Sequence, residues 1–139
     1  MRHPWMALAA VVLALSAASQ SASAHHSFAA QFDGSKPVTL VGNITRVEWR
    51  NPHIWIFFDS KAADGTVTNW ACEGGAPNQL IRQGWSPQIM KIGEPLEVYG
   101  YLARDGSKTC NGRTWKIGGR AVLAGANNDG GPAAPRPAQ

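Results

Sequence analysis

The stretch VTLVGNITRVEW, residues 38–49, decides the fold. Its apolar residues begin on one parity and end on the other, first Val38, Leu40 and Ile44 and then Val47 and Trp49. Because successive side chains of a strand point to opposite faces, a change of parity inside one strand indicates a β-bulge. Gly42 marks a bend or the close approach of another backbone. The stretch therefore predicts one long, curved first strand.

Further strands follow, separated by turn residues. Three are predicted where β-branched and aromatic residues are frequent, at residues 53–59 (HIWIFFD), 66–73 (TVTNWACE) and 95–102 (PLEVYGYL). Residues 114–124 are typical of a closing strand or hairpin. After the third strand, Pro77 and Gly84 predict a helix of two turns at most. A second short turn is expected at residues 87–90.

This order of elements predicts the fold class. Five strands, the first long and bent, with one short helix between strands 3 and 4, follow the order of an OB-fold. We therefore predict an all-β protein, a small five-stranded OB-like barrel that covers residues 38–125. Closing the sheet would remove its exposed edges. The alternative is a two-sheet sandwich, which usually needs about seven strands and so more than this chain offers.

The start of the chain is typical of a secretory signal. A short basic region precedes an apolar run at residues 6–18, and Ala22-Ser23-Ala24 offers a small-x-small cleavage pattern, so residues 1–24 are predicted to be a signal peptide. The alternative is an uncleaved membrane anchor, for which the run is short. We expect cleavage after Ala24, and a periplasmic or secreted protein that is not embedded in a membrane after cleavage.

Two segments flank the predicted barrel. Residues 25–37 form an N-terminal arm, which Phe28 and Phe32 are expected to pin to the domain. Residues 126–139 are rich in glycine, proline, alanine and asparagine and cannot bury much apolar surface. They are therefore predicted to be a disordered tail.

The charge pattern bears on the partner class. The chain has 139 residues and a formal net charge of +4. Its basic residues are scattered among acidic ones and form no dense patch. A solvated surface is the simpler interpretation, and we expect no nucleic-acid partner.

Two cysteines, Cys72 and Cys110, lie outside the predicted signal peptide. An exported chain meets an oxidising compartment, so an even number of cysteines favours one disulfide between them. Such a bond restricts the unfolded chain and stabilises the fold by about 3 kcal/mol. The alternative, two free or metal-binding thiols, lacks the support of a C-x-x-C motif.

Four stretches together resemble one known family. They are HHSFAAQFD at 25–33, KPVTLVGNITRVEWRNPHIWIFFD at 36–59, NWACEGGAPNQLIRQGW at 69–85 and VYGYLARDG at 98–106. In these stretches the chain resembles small exported bacterial proteins of domain-of-unknown-function family 6152, with the HHSF start and the NPH turn as the specific motifs. The resemblance covers nearly all of the chain after residue 24. It implies export and a small β domain, and it implies no activity.

Three histidines, His25, His26 and His53, are candidate metal ligands. Cleavage after Ala24 would free the amine of His25, which could chelate a metal together with its ring Nδ1. A second histidine would then complete a three-nitrogen set that suits copper. His26 could instead bind through its ring, the terminal amine and the intervening amide, and His53 is the distant histidine available. The alternative is that all three are ordinary polar residues without a cofactor.

A second candidate site is aromatic. Trp55 and Phe57 alternate with apolar residues along the second strand, so both faces of that strand are apolar, and Trp70 lies on the third. Because OB-folds bind ligands across strands 2 and 3, these residues are predicted to line a groove for a small ligand, a sugar, a peptide or a partner protein. The alternative is that they fill the core, since a small domain needs bulky residues there.

The sequence contains no set of residues typical of an enzyme. A G-x-S-x-G elbow and an H-E-x-x-H run are both missing, and Glu48 and Glu73 on predicted strands cannot be paired from one sequence. No catalytic residue is therefore predicted, and an enzyme is the less favoured interpretation. The sequence favours an exported, non-catalytic binding domain of unknown ligand, with a periplasmic copper-binding protein as the alternative.

Overall fold

The computed structural model describes residues 28–122 and 129–134. A four-residue helix, α1 (Phe28–Gln31), leads into six strands, which are β1 (Phe32–Glu48), β2 (Trp55–Lys61), β3 (Val67–Glu73), β4 (Pro95–Ala103), β5 (Thr109–Ile117) and β6 (Arg120–Val122). Helix α2 (Pro77–Arg82) and a single 3-10 turn (Pro87–Ile89) lie between β3 and β4. The described part of the chain is all-β with short helices, as the sequence predicts.

The six strands form one sheet in the order β3-β2-β1-β4-β5-β6. Neighbours in this order are antiparallel, and β3 additionally pairs in parallel with β5. The prediction of five strands is one too few. Gly118 and Gly119 both have positive φ, which lets the chain reverse tightly, so β6 returns along the end of β5 as a short hairpin partner.

The first strand is longer than expected and is irregular where the sequence indicates. It starts at Phe32 rather than Val38, because the chain already pairs with β4 at Phe32. Its register against β2 shifts between Ile44 and Arg46, so the predicted bulge is confirmed. A Cβ on Gly42 would lie 2.3 Å from a carbonyl oxygen of β2, which confirms the close approach of another backbone.

The short helix after the third strand is also confirmed. Pro77 lies at its first position, where a missing N–H is harmless, and Gly84 follows it with a φ of 83°. Pro77 and Leu80 are its buried residues. Helix α2 therefore covers part of the apolar interior with one face, and its other residues face solvent or lie near the surface.

The main core is formed by side chains that alternate inward along the strands, together with residues of α2 and the loops around it. Its buried members are Ile44, Ile54, Ile56, Phe58, Cys72, Leu80, Trp85, Met90, Leu96, Val98, Cys110, Trp115 and Ile117. The rings of Trp85 and Trp115 meet edge to face, with centroids 6.4 Å apart. These two tryptophans are therefore structural and are not part of a binding surface.

A second apolar cluster lies on the other face of β4. This outer cluster consists of Phe28, Phe32, Tyr101 and Ala103, with Tyr99 packed against it. The rings of Phe28 and Tyr101 meet edge to face at 5.5 Å between centroids. The two phenylalanines thus pin the arm to the domain, as expected.

Residues 129–134, here called the strap, pack over the outer cluster. The N–H of Phe28 donates to the carbonyl oxygen of Asp129 at 3.0 Å, and the Tyr101 hydroxyl donates to the carbonyl oxygen of Ala133 at 3.4 Å. These contacts and a buried Asp129 attach the strap, which lies within the predicted disordered tail, to the domain. The rest of that tail, residues 126–128 and 135–139, lies outside the described residues.

Candidate functional site

His53 lies just before β2 in a segment with a well-defined backbone. The N–H of Ile54 donates to the carbonyl of Gly75 at 3.1 Å, and the Ile54 carbonyl accepts from the N–H of Gly74 at 2.9 Å. The Asn51–Pro52 peptide that precedes His53 is cis. The His53 side chain is 15% exposed, so the ring is mostly covered and still reaches the surface.

The His53 ring contacts the carboxylate of Glu73, the last residue of β3. Nδ1 of His53 lies within hydrogen-bonding distance of Oε1 of Glu73, and the Glu73 side chain is 12% exposed. An ionised carboxylate can only accept, so this contact places the ring hydrogen of a neutral imidazole on Nδ1. No described residue hydrogen-bonds to Nε2, so within the described chain the lone pair of Nε2 faces no competing donor.

Glu73 is held on its other side by buried polar residues. Its Oε2 accepts a hydrogen bond from Nδ2 of Asn111 at 3.1 Å, and the same Nδ2 donates to Oδ2 of Asp129 at 3.0 Å. Nη2 of Arg113 donates to Oδ1 of Asp129, also at 3.0 Å. Asn111 is fully buried, and the side chains of Arg113 and Asp129 are 5% exposed. These five residues, His53 included, form what we call the polar network.

The predicted disulfide between Cys72 and Cys110 is present, with their Cα atoms 4.5 Å apart. The two cysteines are paired in the parallel ladder of β3 and β5 and belong to the main core. Their neighbours Glu73 and Asn111 are the next pair in that ladder. Since side chains alternate along a strand, this pair points to the opposite face. The disulfide therefore lies next to the strand pairing that brings Glu73 beside Asn111.

Sequence reasoning missed Asn111, Arg113 and Asp129. The sequence pattern predicts that the fifth strand starts at residue 114, so it places Asn111 and Arg113 in a loop, and it places Asp129 in the tail. The signal that could have found Asn111 is the disulfide itself. Pairing Cys72 with Cys110 places the next residues of the two strands side by side.

The aromatic residues predicted to line one groove lie on two different faces of the sheet. Directly paired residues of neighbouring strands face the same side. Trp70 pairs with Phe58 of the main core and is half-buried against that core. Trp55 and Phe57 alternate with buried residues along β2 and are half-buried on the outer face. A single groove lined by all three is therefore not assembled, because the register of β2 and β3 separates Trp70 from the other two.

Charged residues of the first strand and the loop after it cover the outer face beside Phe57. The guanidinium carbon of Arg46 lies 3.6 Å from the ring centroid of Phe57, a cation–π arrangement. Arg46 and Arg50 both pair with the carboxylate of Glu48. Glu48 is thus engaged by arginines, and Glu73 is the strand glutamate that joins the polar network.

An open groove of about 490 Å³ lies further along the outer face of β2. Val41 and Pro95 contribute to its apolar lining. Two carboxylates and two lysines also line it, namely Asp59, Lys61, Glu97 and Lys116. Asp59 and Lys61 have the same parity as Trp55 and Phe57 on β2, so the groove continues the outer face that carries these aromatic rings.

Tyr99 and Tyr101 form a hydrogen-bonded pair beneath the strap. The Tyr99 hydroxyl donates to the Tyr101 hydroxyl at 3.5 Å, and Tyr101 donates to the strap. The hydrogen bond with Tyr101, and then burial and repulsion from the Tyr101 hydroxyl, raise the pKa of Tyr99 above its ordinary value of 10.0. Tyr99 therefore keeps its proton at neutral pH.

His25, His26 and the predicted signal peptide lie outside the described residues. Within residues 28–122 and 129–134, no three His, Cys, Asp or Glu side chains are grouped so as to hold a metal ion. In the same part of the chain, no helix has the length and hydrophobicity required to span a membrane. Of the three predicted metal ligands, the structure places His53.

Residues 11–112 match the model of a family described as "Family of unknown function (DUF6152)". No curated protein matches the chain. The matched range contains His53, Glu73 and Asn111 of the polar network, whereas Arg113 and Asp129 lie beyond it. Because the match covers more than half of the 139 residues, the chain belongs to DUF6152, a family of unknown function.

Proposed function

We propose that the protein is an exported copper-binding protein whose site combines His53 with the N-terminal histidine of the mature chain. The observation that carries the proposal is the contact between Nδ1 of His53 and the Glu73 carboxylate, with Nε2 unbonded among the described residues. Metal-binding histidines usually donate their second ring N–H to a carboxylate or carbonyl, which fixes the tautomer and makes the ligating nitrogen more basic. His53 has such a partner.

The proposed ligands are all nitrogen atoms, and this favours copper. They are the amine and ring Nδ1 of His25 and Nε2 of His53, with the ring of His26 as the alternative third ligand. Imidazole suits Cu(II), which also stands highest in the affinity order of the divalent first-row metals. The half-buried position of the His53 ring would shield one side of the site from water.

The described end of the N-terminal arm lies close to the polar network, which supports a shared site. The N–H of Phe28 donates to Asp129, a residue separated from His53 by two side chains of the network. His25 precedes Phe28 by three residues, so their Cα atoms are at most about 11 Å apart. The arm is therefore anchored within a short distance of the residues that orient His53.

The proposal requires export and cleavage after Ala24, so that the amine of His25 is free. The basic start, the apolar run and Ala22-Ser23-Ala24 support a signal peptide. The disulfide between Cys72 and Cys110 supports an oxidising compartment. We therefore place the mature protein in the periplasm or outside the cell.

We also propose that the sheet is an OB-like barrel of five strands with β6 appended. The supporting observation is that β1 pairs with both β2 and β4, while β3 pairs with β5, so the pairings of five strands run round in a ring. Helix α2 lies between β3 and β4, as in that fold. OB-folds bind ligands across strands 2 and 3, and His53 and Glu73 lie at the adjoining ends of these strands.

Titration of the mature protein with Cu(II) tests the proposed site. One extra alanine before His25 displaces the chelating amine and is expected to weaken binding at least tenfold, about 1.4 kcal/mol. His53→Gln removes a ligand and should have an effect of at least the same size. Equal and weak binding by the wild type and both variants would contradict the proposal.

A pair of glutamate variants provides the matched control. Glu73→Gln removes the carboxylate that orients His53, and losses of about 10- to 100-fold in affinity are typical for such residues. Glu48→Gln changes a strand glutamate that pairs with arginines instead, and we expect it to leave copper affinity unchanged.

A second candidate function is the binding of an organic ligand along the outer face of β2. The groove is the observation that favours it, because it combines an apolar lining with a few charged groups, a combination typical of ligand sites. Trp55 and Phe57 lie on the same face and would extend the contact surface. The ligand would be a sugar, a peptide or a partner protein.

Tryptophan fluorescence titrations with neutral oligosaccharides and short peptides test this second candidate. Trp55→Ala should abolish binding, whereas Trp70→Ala, on the core side, should leave the affinity of the folded protein unchanged. If both variants bind every tested compound as the wild type does, the outer face of β2 is not the site.

A further inference from the structure

Asp129 connects the N-terminal arm to the polar network. Its backbone carbonyl accepts the hydrogen bond from the N–H of Phe28 at 3.0 Å. Its Oδ1 accepts from Nη2 of Arg113 at 3.0 Å and from the N–H of Gly131 at 2.9 Å. Its Oδ2 accepts from Nδ2 of Asn111 at 3.0 Å. One residue of the strap therefore fixes the arm, the strap's own backbone and the network.

The burial of this residue points to a geometric role. The side chains of Asp129 and Arg113 are each 5% exposed, and taking two charges out of water costs several kcal/mol each before their attraction offsets it. Such a pair is a weak source of net stability, and removal of one partner is strongly destabilising. A buried ion pair between β5 and the strap is better explained by the positions that it fixes.

Asn111 transmits the position of Asp129 to Glu73. The amide nitrogen of asparagine carries two hydrogens and no acceptor, and here it donates to one carboxylate on each side, Asp129 and Glu73. Turning the amide over would place its oxygen against both carboxylates, so the orientation of Asn111 is fixed. With Oε2 of Glu73 held in this way, Oε1 is directed at His53.

We infer that Asp129 is a positioning residue for His53, and the role of His53 as a copper ligand rests on the function proposed above. Through Asn111 and Glu73 it sets the orientation and tautomer of His53, and through its carbonyl oxygen it fixes the backbone of Phe28. Residues beyond the stretch that matches the family would then tune the site in this chain.

Asp129→Asn is the informative variant because it preserves shape. One oxygen remains to accept from Arg113 and Gly131, while a donor replaces the acceptor for Asn111. We expect Cu(II) binding at least tenfold weaker, with a changed EPR spectrum, because His53 loses its fixed orientation. Asp105→Asn is the matched control, since Asp105 lies in an exposed turn and accepts from the N–H of Ser107. It should leave both measurements unchanged.

A measurement without metal separates this inference from the proposed function. Long-range ¹H–¹⁵N spectra of the metal-free protein should show His53 with its hydrogen on Nδ1 in the wild type and a mixture of tautomers in Asp129→Asn. If the wild type binds no copper but the tautomer still changes, the copper function fails and the positioning of His53 by Asp129 stands. An unchanged tautomer and unchanged copper affinity in Asp129→Asn would overturn the inference.

Amide exchange keeps the test decisive if a variant is unstable. In Asp129→Ala, the Phe28 amide should exchange at least tenfold faster, while amides of β2 in the main core stay protected. Global loss of protection would show unfolding, and the conclusion would then rest on Asp129→Asn. If the Phe28 amide of a folded Asp129→Ala protein is as protected as in the wild type, then the Asp129 side chain is not needed to anchor the arm, and that part of the inference is wrong.

Discussion

The main core and the outer cluster are built in different ways. The main core is enclosed by strands and α2 and consists of apolar side chains with one disulfide. The outer cluster is smaller and is closed by α1 and the strap. Buried charges adjoin it, since the guanidinium carbon of Arg113 lies 5.0 Å from the ring centroid of Phe28. The main core is formed by the alternation of side chains along the strands, whereas the outer cluster depends on α1 and the strap.

The difference indicates how the protein separates stability from its candidate site. Terminal segments tend to fray unless they are tied down, and proteins open locally where few apolar contacts hold a segment. We therefore expect the main core to govern global unfolding and the outer cluster to open by itself. The residues that orient His53 lie between the two, with Glu73 and Asn111 next to the disulfide and Asp129 in the strap.

The largest expected effect comes from Phe58→Ala in the main core. Phe58 is fully buried, and its removal should lower the free energy of unfolding by about 4 kcal/mol through lost apolar burial and a cavity. Phe57→Ala is the adjacent control on the half-buried outer face and should cost less than half as much. Urea unfolding followed by circular dichroism measures both. Equal losses would contradict the assignment of the two faces of β2.

Removal of the disulfide should have the next largest effect. A Cys72→Ala/Cys110→Ala protein loses a cross-link between positions separated by 38 residues, which should lower the free energy of unfolding by about 3 kcal/mol. The pairing of Glu73 with Asn111 in the ladder of β3 and β5 should also loosen. His53 of the metal-free protein should then populate both neutral tautomers. An unchanged urea midpoint would show that the bond contributes little beyond the strand pairing itself.

The elements of the main core could be predicted because their signals are local. The change of parity between Ile44 and Val47 was sufficient to indicate a bulge, and proline and glycine marked the ends of α2. The start of β1 was missed because Gly34 and Pro37 are unusual inside a strand. The start of β5 was missed because Asn111 and Gly112 have low strand propensity, and long-range pairing overrides that preference here.

The candidate site could be predicted only in part because its residues meet through long-range register. The sequence identifies His53 as a candidate ligand and places Glu73 on a strand, but strand alternation does not reveal which residues of different strands are neighbours. The same limit explains the aromatic residues. Whether Trp70 shares a face with Trp55 depends on the pairing of β2 and β3, and a shift of one residue reverses it.

Phe28→Ala tests whether the outer cluster opens independently. Its side chain is 5% exposed and packs against Phe32 and Tyr101, so truncation should release the arm and the strap at a cost of about 2 kcal/mol or less in global stability. Hydrogen exchange should rise at residues 28–32 and remain slow in β2. Phe28→Leu keeps most of the apolar volume and should change neither hydrogen exchange nor global stability appreciably. A uniform rise across the sheet would mean that the two clusters unfold together.

The smallest expected effect is a response of the strap to alkaline pH. The raised pKa of Tyr99 means that folding favours its protonated form. The resulting stabilisation is fully present below the unfolded pKa, about 10, and is lost as pH rises through the higher folded pKa. The physical reason is that ionised Tyr99 and the carbonyl oxygen of Ala133 compete for the hydroxyl hydrogen of Tyr101. A Tyr99 phenolate is a strong acceptor and draws the Tyr101 hydroxyl away from the carbonyl oxygen of Ala133.

A comparison with Tyr99→Phe isolates this response from other groups that titrate at high pH. Between pH 9 and 11, exchange at the Phe28 amide should rise more steeply in the wild type than in the variant, after correction for the intrinsic pH dependence of exchange. The difference should be small, because the two hydroxyl contacts, 3.5 and 3.4 Å long, are weak. Amides of the main core should show no such difference, since Tyr99 packs on the outer cluster alone. Identical curves for wild type and Tyr99→Phe would mean that the strap is held by Asp129 without help from the tyrosine pair.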